Sequence, residues 1–539
     1  MAGTDVFSRK PFVVRKRKYL MSGSVKLLLS AFWVVAIILP LIKMLSKMGS
    51  IDMVGMLSEK RFQTAAVQSV IVAGVSTVFS VAIAGVAAWC TARTAIRFKN
   101  GFSVIFTLPM LIPSISHGMG LIILFGTNGV FNNLFGTDVS IYGFWGIVIG
   151  SVMYSFPVAY LLIFDVLRFE DSTPYEAADV LGLSKTNTFF AVTLPYLRKP
   201  LISVFFATFT MIITDYGVPL MIGGKYITLP VMMYQDVIGM LDFGRGSVIG
   251  TVLLIPALIA CILDIFNRDK GNLSFVTRPF VIRPKHLRDI SACFICILIC
   301  AAVTLPIAVF ACVAFVRKYP VDMSLTIENI EQALHMNVGI YLLNSVVISV
   351  FVCVIGVIFA TMCAYFTARM PSAFSKMLHL LSITSLAIPG LVLGLSYVMF
   401  YKGSFVYGTF AMLILVNTMH FFSSPYLMMY NTFNKLNGNL EDVGKTLGIS
   451  RMRMIRDVLL PLSSGTLIEM AVYFFVNSMM TISAVSFLAS HDNKPVSLMI
   501  TQFEGQMQLE CAAFVSLLIL VTNVIFKLIA YVVKKKVTM

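Results

Sequence analysis

Residues 68–93 read QSVIVAGVSTVFSVAIAGVAAWCTAR, and residues 344–369 read NSVVISVFVCVIGVIFATMCAYFTAR. The two segments align without a gap at nine identical positions of 26, and Thr91-Ala92-Arg93 at the end of one matches Thr367-Ala368-Arg369 at the end of the other. Each is a long apolar run, and about 20 such residues suffice for a helix to cross the hydrocarbon layer. The offset of 276 persists into the next apolar run, where Ile112-Pro113 meets Ile388-Pro389 and Gly118 meets Gly394. A constant offset through two helices and the basic loop between them marks an internal duplication.

The composition agrees. Of 539 residues, 58% are hydrophobic and 12% charged, whereas soluble domains carry about 25% charged residues. A mean hydropathy of +0.89 excludes an ordinary soluble protein. Apolar runs divide the chain into twelve expected spans: 25–45, 66–91, 102–125, 141–165, 200–222, 246–266, 290–316, 341–367, 377–401, 405–430, 464–489 and 510–533. The expected fold is therefore an all-α polytopic membrane protein built from two six-helix repeats, 1–275 and 276–539. An even number of spans per copy sets both copies the same way up, a parallel repeat.

A net charge of +16, from 41 Lys+Arg against 25 Asp+Glu, would suggest nucleic acid in a soluble protein. Here it reads as orientation. With Arg9, Lys10 and Arg15 to Lys18 placed in the cytoplasm, 31 basic residues fall inside and 10 outside, as the positive-inside rule requires. Both termini are then expected to be cytoplasmic, and the chain is expected in a bacterial cytoplasmic membrane, with lipid rather than nucleic acid around it. The basic stretch 267–289 reads as a cytoplasmic linker between the halves.

The longest polar segments inside each half join its fourth and fifth spans, at 168–200 and 436–463. In the first, Thr173 is placed to cap, Pro174 suits the first turn and Glu176 completes a capping box. Gly182 supplies a left-handed stop, and Ser184 caps a second helix expected to end near Leu194-Pro195. In the second, Asn439 is the expected cap, Asp442 stands three residues on, Gly448 stops the helix and Ser450 caps the next, before Leu460-Pro461. Short rigid helices of this kind suit docking on a soluble partner.

Glu176, Ala177, Ala178, Gly182, Val192, Leu194 and Pro195 resemble the EAA loop of type I ATP-binding cassette importer permeases. The second loop keeps the spacing at Gly448, Val458, Leu460 and Pro461 but carries Asp442, Val443 and Gly444 where the first has Glu-Ala-Ala. The resemblance extends from the second span to the twelfth, and within the family it is to the fused twelve-span permeases of ferric-iron and 2-aminoethylphosphonate importers. It implies that each loop forms a coupling helix seated in one of two copies of a cytoplasmic ATPase. It also implies that an extracytoplasmic solute-binding protein delivers the cargo, with polyamine or thiamine as alternative cargoes.

No segment matches GxxxxGK[ST], the phosphate-cradling loop; Gly223-Gly224-Lys225-Tyr226 lacks the Ser or Thr after lysine. The chain is therefore expected to be neither an enzyme nor the holder of a cofactor. An ion-coupled secondary transporter is the rival reading, and it would need more ionisable residues deep in the spans. Cys293, Cys296 and Cys300 share one helix face and read as packing rather than a metal site. Asp215, near one end of the fifth span, is the expected pathway or gate carboxylate, with a turn cap as the plainer alternative. Pro113 and Pro389 sit at equivalent mid-span positions, where each is expected to bend its helix. His117 beside Pro113 reads as packing, and Glu469 as a helix-start group.

Overall fold

The computed structural model describes residues 12–267, 278, 282 and 284–538. Much of the linker, including Arg268, Lys270 and Arg283, lies outside the described residues, as do Arg9 and Lys10. Among the described residues, nine helices are long and apolar enough to cross a membrane, and three bent pairs bring the total to twelve. They are α1 (Gly23–Gly49), α2 (Lys60–Arg93), α3 (Ser114–Phe135), α4 (Phe144–Arg168), α5 (Lys185–Ile213) and α6 (Phe243–Ala260) in the first half. The second half has α7 (His286–Val313), α8 (Val338–Ala368), α9 (Ala373–Ala387 and Gly390–Tyr401) and α10 (Phe410–His420 and Ser423–Lys435), then α11 (Arg451–Leu462 and Ser464–Met480) and α12 (Leu509–Val537). The one sheet among the described residues is a hairpin of β1 (Val316–Lys318) and β2 (Asp322–Leu325) after α7.

The halves exchange their first helices. Trp33 of α1 is fully buried in the second half, edge-on to Phe422 at 4.7 Å. Lys26 of α1 donates to the Met370 carbonyl at 2.7 Å and to Ser375 at 2.9 Å. Reciprocally, Cys296 of α7 is buried in the first half's core with Ala84, Phe106 and Tyr160. The cysteine face of α7 is thus a packing face, small enough to let α7 close on α2 and on the segment Lys99–Phe106. Large apolar side chains such as Val67, Val78, Leu298 and Ile358 remain exposed along the spans. That surface is tolerable only against lipid.

Four expectations need correction. Pro113 and Pro389 break their helices rather than bend them. Ile112 and Ile388 are extended, at φ −122°, ψ 151° and φ −106°, ψ 113°, and the two pieces of α9 meet at 109°. A break frees backbone carbonyls that must find other donors in a membrane; Asn523 of α12 donates to the Leu111 carbonyl at 2.9 Å. The fifth span begins earlier than 200 and stops at Ile213. The helix capped by Ser184 does not end at Leu194-Pro195 but runs on through a π-turn at Phe189–Thr193, closed by Leu194 N–H to the Phe189 carbonyl. The wider π-turn absorbs the residue that lacks an N–H. The second half repeats this π-turn at Ile455–Leu459 before Leu460-Pro461, then turns by 77° after Leu462. The eleventh span accordingly ends at Met480 rather than 489.

Candidate functional site

The loop between α4 and α5 begins with a helix over Thr173–Val180. Its start differs from the expected capping box. Thr173 is already inside the helix, and Asp171 accepts from the Thr173 backbone N–H at 3.2 Å and its hydroxyl at 3.0 Å. Those bonds, with one from the Arg278 N–H, hold the Asp171 carboxyl below the usual range. Glu176 accepts from Ser172 Oγ at 3.0 Å instead of from Thr173. In the second loop Asn437, not Asn439, takes the equivalent place, accepting from the Asn439 N–H at 3.0 Å ahead of the helix Leu440–Thr446.

The stops and second caps follow the sequence reading. Gly182 and Gly448 adopt φ +71° and +70°. Leu183 N–H returns to the Ala178 carbonyl at 3.0 Å and Ile449 N–H to the Gly444 carbonyl at 2.8 Å, a Schellman end in both loops. Ser184 accepts from Asn187 N–H at 3.2 Å, and Ser450 from Arg453 N–H at 3.4 Å. Each loop is thus a helix, a left-handed corner and a second helix that continues into the next span.

The duplicated arginines hold these loops, a role the sequence reading did not give them. Arg93, at the end of α2, pairs with Glu170, with side chains only 4% and 3% exposed. Tyr175 from the loop helix donates to the same Glu170 at 2.6 Å, and its ring lies 5.5 Å from the guanidinium. Arg369, at the end of α8, pairs with Glu441 of the second loop helix and donates to the carbonyls of Phe433, Leu436 and Asn437. The preceding threonines are used alike. Thr91 meets Tyr160 at 3.2 Å, and Tyr160 meets Ser103 at 2.6 Å. Thr367 accepts from Tyr426 at 2.9 Å, and Tyr426 meets His379 at 2.6 Å. The Thr-Ala-Arg repeat was the signal; its partners, far away in sequence, were not visible in it.

Asp215 stands at a second junction. It follows α5 and accepts from the N–H groups of Gly217 at 3.3 Å and Val218 at 3.1 Å, capping the short helix Gly217–Ile222. It also accepts from Ser114 Oγ at 2.6 Å, immediately after the break at Pro113. The two breaks of the first half therefore meet. Their second-half counterparts meet too, with the small partners exchanged: a Cβ on Gly217 would fall 2.4 Å from Ser114 Oγ, and one on Gly390 would fall 2.3 Å from Ser483 Oγ. Nearby, Tyr216 meets Ser486 across the halves at 2.7 Å. His117 is buried, its Nδ1 3.3 Å from the Pro113 carbonyl.

Overpacking of this kind costs about 1–3 kcal/mol. Gly217→Ser should therefore lower the thermal midpoint of the purified protein. The pair Ser114→Gly with Gly217→Ser, which copies the second-half arrangement, should recover most of that loss. An unchanged midpoint in the single variant would refute the close contact.

The model of the family described as "Binding-protein-dependent transport system inner membrane component" matches this chain twice, at residues 80–268 and 354–539. The chain belongs to this family. Each match contains one loop and one pair of breaks. The chain is 26% identical over 439 residues to a ferric transport system permease protein of Actinobacillus pleuropneumoniae, covering 78% of this chain and 63% of that protein. It thus spans a little under two thirds of that relative; a putative ferric transport permease of Haemophilus influenzae is matched at the same identity over 68% of its length. A molybdenum transport system permease protein of Azotobacter vinelandii is 28% identical over 209 residues, which are 38% of this chain but 92% of that protein.

Within the family framework, the second loop's departures have local causes. Gly444 stands where the first loop has buried Ala178, and the Met454 methyl occupies the space a Cβ would take, its Cε 2.3 Å from that point. Asp442 is exposed and pairs with Lys445 at 2.6 Å, inside its own helix. Glu176 is also exposed and faces Arg278 at 3.9 Å. Ala177, Val180 and Leu181 on the first loop, and Val443, Leu447 and Met452 on the second, point into solvent. Leu194 and Pro195, like Leu460 and Pro461, lie just after the π-turns. Glu469 pairs with Lys534 at 2.5 Å between α11 and α12. Among the described residues no group of three or more His, Cys, Asp or Glu could hold a metal ion.

Proposed function

We propose that this chain is the membrane permease of an ATP-binding cassette importer, with both pore halves in one polypeptide. The observation that carries the reading is the pair of loop helices, at equivalent ends of the two halves, each fastened to its half by a duplicated arginine. Their exposed apolar tips give two copies of an ATPase subunit a place to grip. The 31-to-10 distribution of basic residues supports a cytoplasmic position for those loops, with the opposite end open to a solute-binding protein. ATP binding closes the ATPase pair and draws the two loops together, and the halves rock as rigid bodies between inward-open and outward-open states. Asp215 with Ser114 after Pro113, and Ser483 with Gly390 after Pro389, are the joints at which such rocking would be accommodated, which supports Asp215 as a gate residue. For cargo, the ferric transport relatives align across 78% of the chain, while the molybdenum relative aligns with 38%. The shorter alignment reflects the molybdenum relative's own length, 92% of which is covered; the long ferric alignments support ferric iron as the cargo, with molybdate, 2-aminoethylphosphonate and a polyamine as the alternatives.

The test is reconstitution of the chain with its ATPase in proteoliposomes. Uptake of ferric ion should require both ATP and loaded binding protein, and the binding protein should stimulate ATP hydrolysis. Uptake driven by a proton or sodium gradient without ATP would establish the secondary-transporter reading instead.

A further inference from the structure

The hairpin after α7 wears its hydrophobic side outward. From Val321 to Glu328 the sequence alternates strictly: Val321, Met323, Leu325 and Ile327 against Asp322, Ser324, Thr326 and Glu328. Within β2 (Asp322–Leu325) alternation sets Met323 and Leu325 on one face, with Val321 in the turn before it and Ile327 at the cap of the helix Glu328–His335 after it; in a water-soluble hairpin such an apolar surface would be covered. Here it is bare, with Val321 88% and Leu325 84% exposed. The segment is not loosely placed. Tyr319 donates from its backbone N–H to Glu510 at 2.7 Å and from its hydroxyl to the Ile123 carbonyl at 2.8 Å, and Asn329 donates to the Val316 carbonyl at 2.6 Å. These polar bonds fix the hairpin on one side and hold its apolar side away from the protein.

That side continues the surface α7 presents to lipid. Between the last turn of α7 and the hairpin lies an open groove of about 790 Å³, lined by Ala311, Cys312, Phe315, Leu325 and Ile327 among others. The 28 residues of α7 span about 42 Å at 1.5 Å each, more than the roughly 30 Å of hydrocarbon. Asp289 at the start of α7 accepts from Ala95 N–H beside the loop end of α2, so α7 ends on the far side, at headgroup level, since a bilayer is about 40–45 Å thick in all. The hairpin starts three residues later, too soon to have risen clear of the headgroups. Arg317 and Lys318 stand in β1 at that level, both more than half exposed, Arg317 paired with Glu328 at 3.3 Å and Lys318 facing Glu510 at 3.9 Å.

We infer that the 316–327 hairpin is an interfacial anchor, its Val321, Met323, Leu325 and Ile327 surface lying in the headgroup–acyl boundary and its groove filled by a lipid acyl chain. Apolar side chains at the boundary with basic residues at headgroup level are the pattern of segments that lie on a membrane without crossing it. The anchor would hold the end opposite the loops at fixed depth while the halves rock. It needs only the membrane spans, and would stand whatever the cargo or energy source.

The test places the photo-crosslinker benzoylphenylalanine singly at Val321 and at Leu325 in the full chain. The variants are reconstituted in nanodiscs of phosphatidylethanolamine and phosphatidylglycerol, with Leu298 in mid-α7 as the lipid-facing control. Mass spectrometry should find phospholipid adducts at both hairpin positions in yields comparable with Leu298, unchanged by saturating solute-binding protein. Adducts at Leu298 but none at Val321 or Leu325 would overturn the inference. So would crosslinking of the hairpin to the binding protein, which would make this face a protein dock. Because the readout involves neither ATP nor transport, failure of the importer reading would leave its outcome unaffected.

Discussion

Arg93→Ala should reduce ATP-driven uptake by about two orders of magnitude while leaving the protein in the membrane. The substitution strands Glu170, which at 3% exposure has no route to water and keeps only the Tyr175 and other local contacts. Removing one partner of a buried ion pair costs about 3–5 kcal/mol, because the remaining charge is uncompensated. At about 1.4 kcal/mol per tenfold, even the lower figure moves the balance between fastened and released loop about a hundredfold. A released loop would still meet the ATPase, but its motion would no longer reach α2. ATP hydrolysis should therefore persist and lose its stimulation by the binding protein. The double variant Arg93→Met with Glu170→Met removes the stranded charge and should fold better than Arg93→Ala without regaining transport. Uptake by Arg93→Ala at the unaltered rate would reduce the pair to packing. The same change at Arg369 should cost less stability, because Glu441 is 21% exposed and reaches water once freed.

What the sequence made legible, and what it did not, follows from the range of the interactions. The spans, the duplication and the Gly182 and Gly448 corners are local or periodic properties, and a hydrophobic run or a glycine before a serine cap carries them whole. The family resemblance was legible from the first loop for the same reason, since its residues are contiguous. The arginine clamps were not. In the sequence Arg93 and Arg369 look like ordinary basic residues at the inner ends of spans. Only folding brings Glu170 and Glu441 to them, and these carboxylates lie at different places relative to the loop helix. The capping error was of another sort. Asp171 and Asn437 each offer an acceptor two residues ahead of the one expected, and with several acceptors in a row the pattern alone does not decide between them. The complete breaks at Pro113 and Pro389 depend on distant groups that satisfy the freed backbone, such as Asn523, 412 positions from Leu111. A proline in a run of apolar residues therefore announces a disturbance without fixing its size.

Gly182→Pro is the sharpest test of the loop itself. Gly182 sits at φ +71°, whereas proline is locked near −65°, so the corner cannot form around it. Proline also lacks the N–H that Gly182 donates to the Asp179 carbonyl at 3.1 Å, and its ring constrains Leu181 before it. The Schellman end is lost, and with it the angle between the Thr173–Val180 helix and the helix that runs into α5. Transport and association with the ATPase should both be abolished, with membrane insertion and the twelve spans intact, as read by pull-down of the ATPase and by uptake in proteoliposomes. Gly182→Ala keeps the N–H and faces only the left-handed penalty of roughly 1–2 kcal/mol; open space surrounds the position, since no atom lies within 4 Å of an added Cβ. It should therefore weaken association by about tenfold and retain measurable uptake. The order of the two variants is the discriminating result. If proline were tolerated as well as alanine, the corner would have no part in docking, and the coupling reading of the first loop would fall. The same pair at Gly448, at φ +70°, then asks whether the second loop contributes equally. Should Gly448→Pro leave ATPase association largely intact while Gly182→Pro removes it, the departures at Asp442, Val443 and Gly444 would mark a loop that follows the motion rather than drives it.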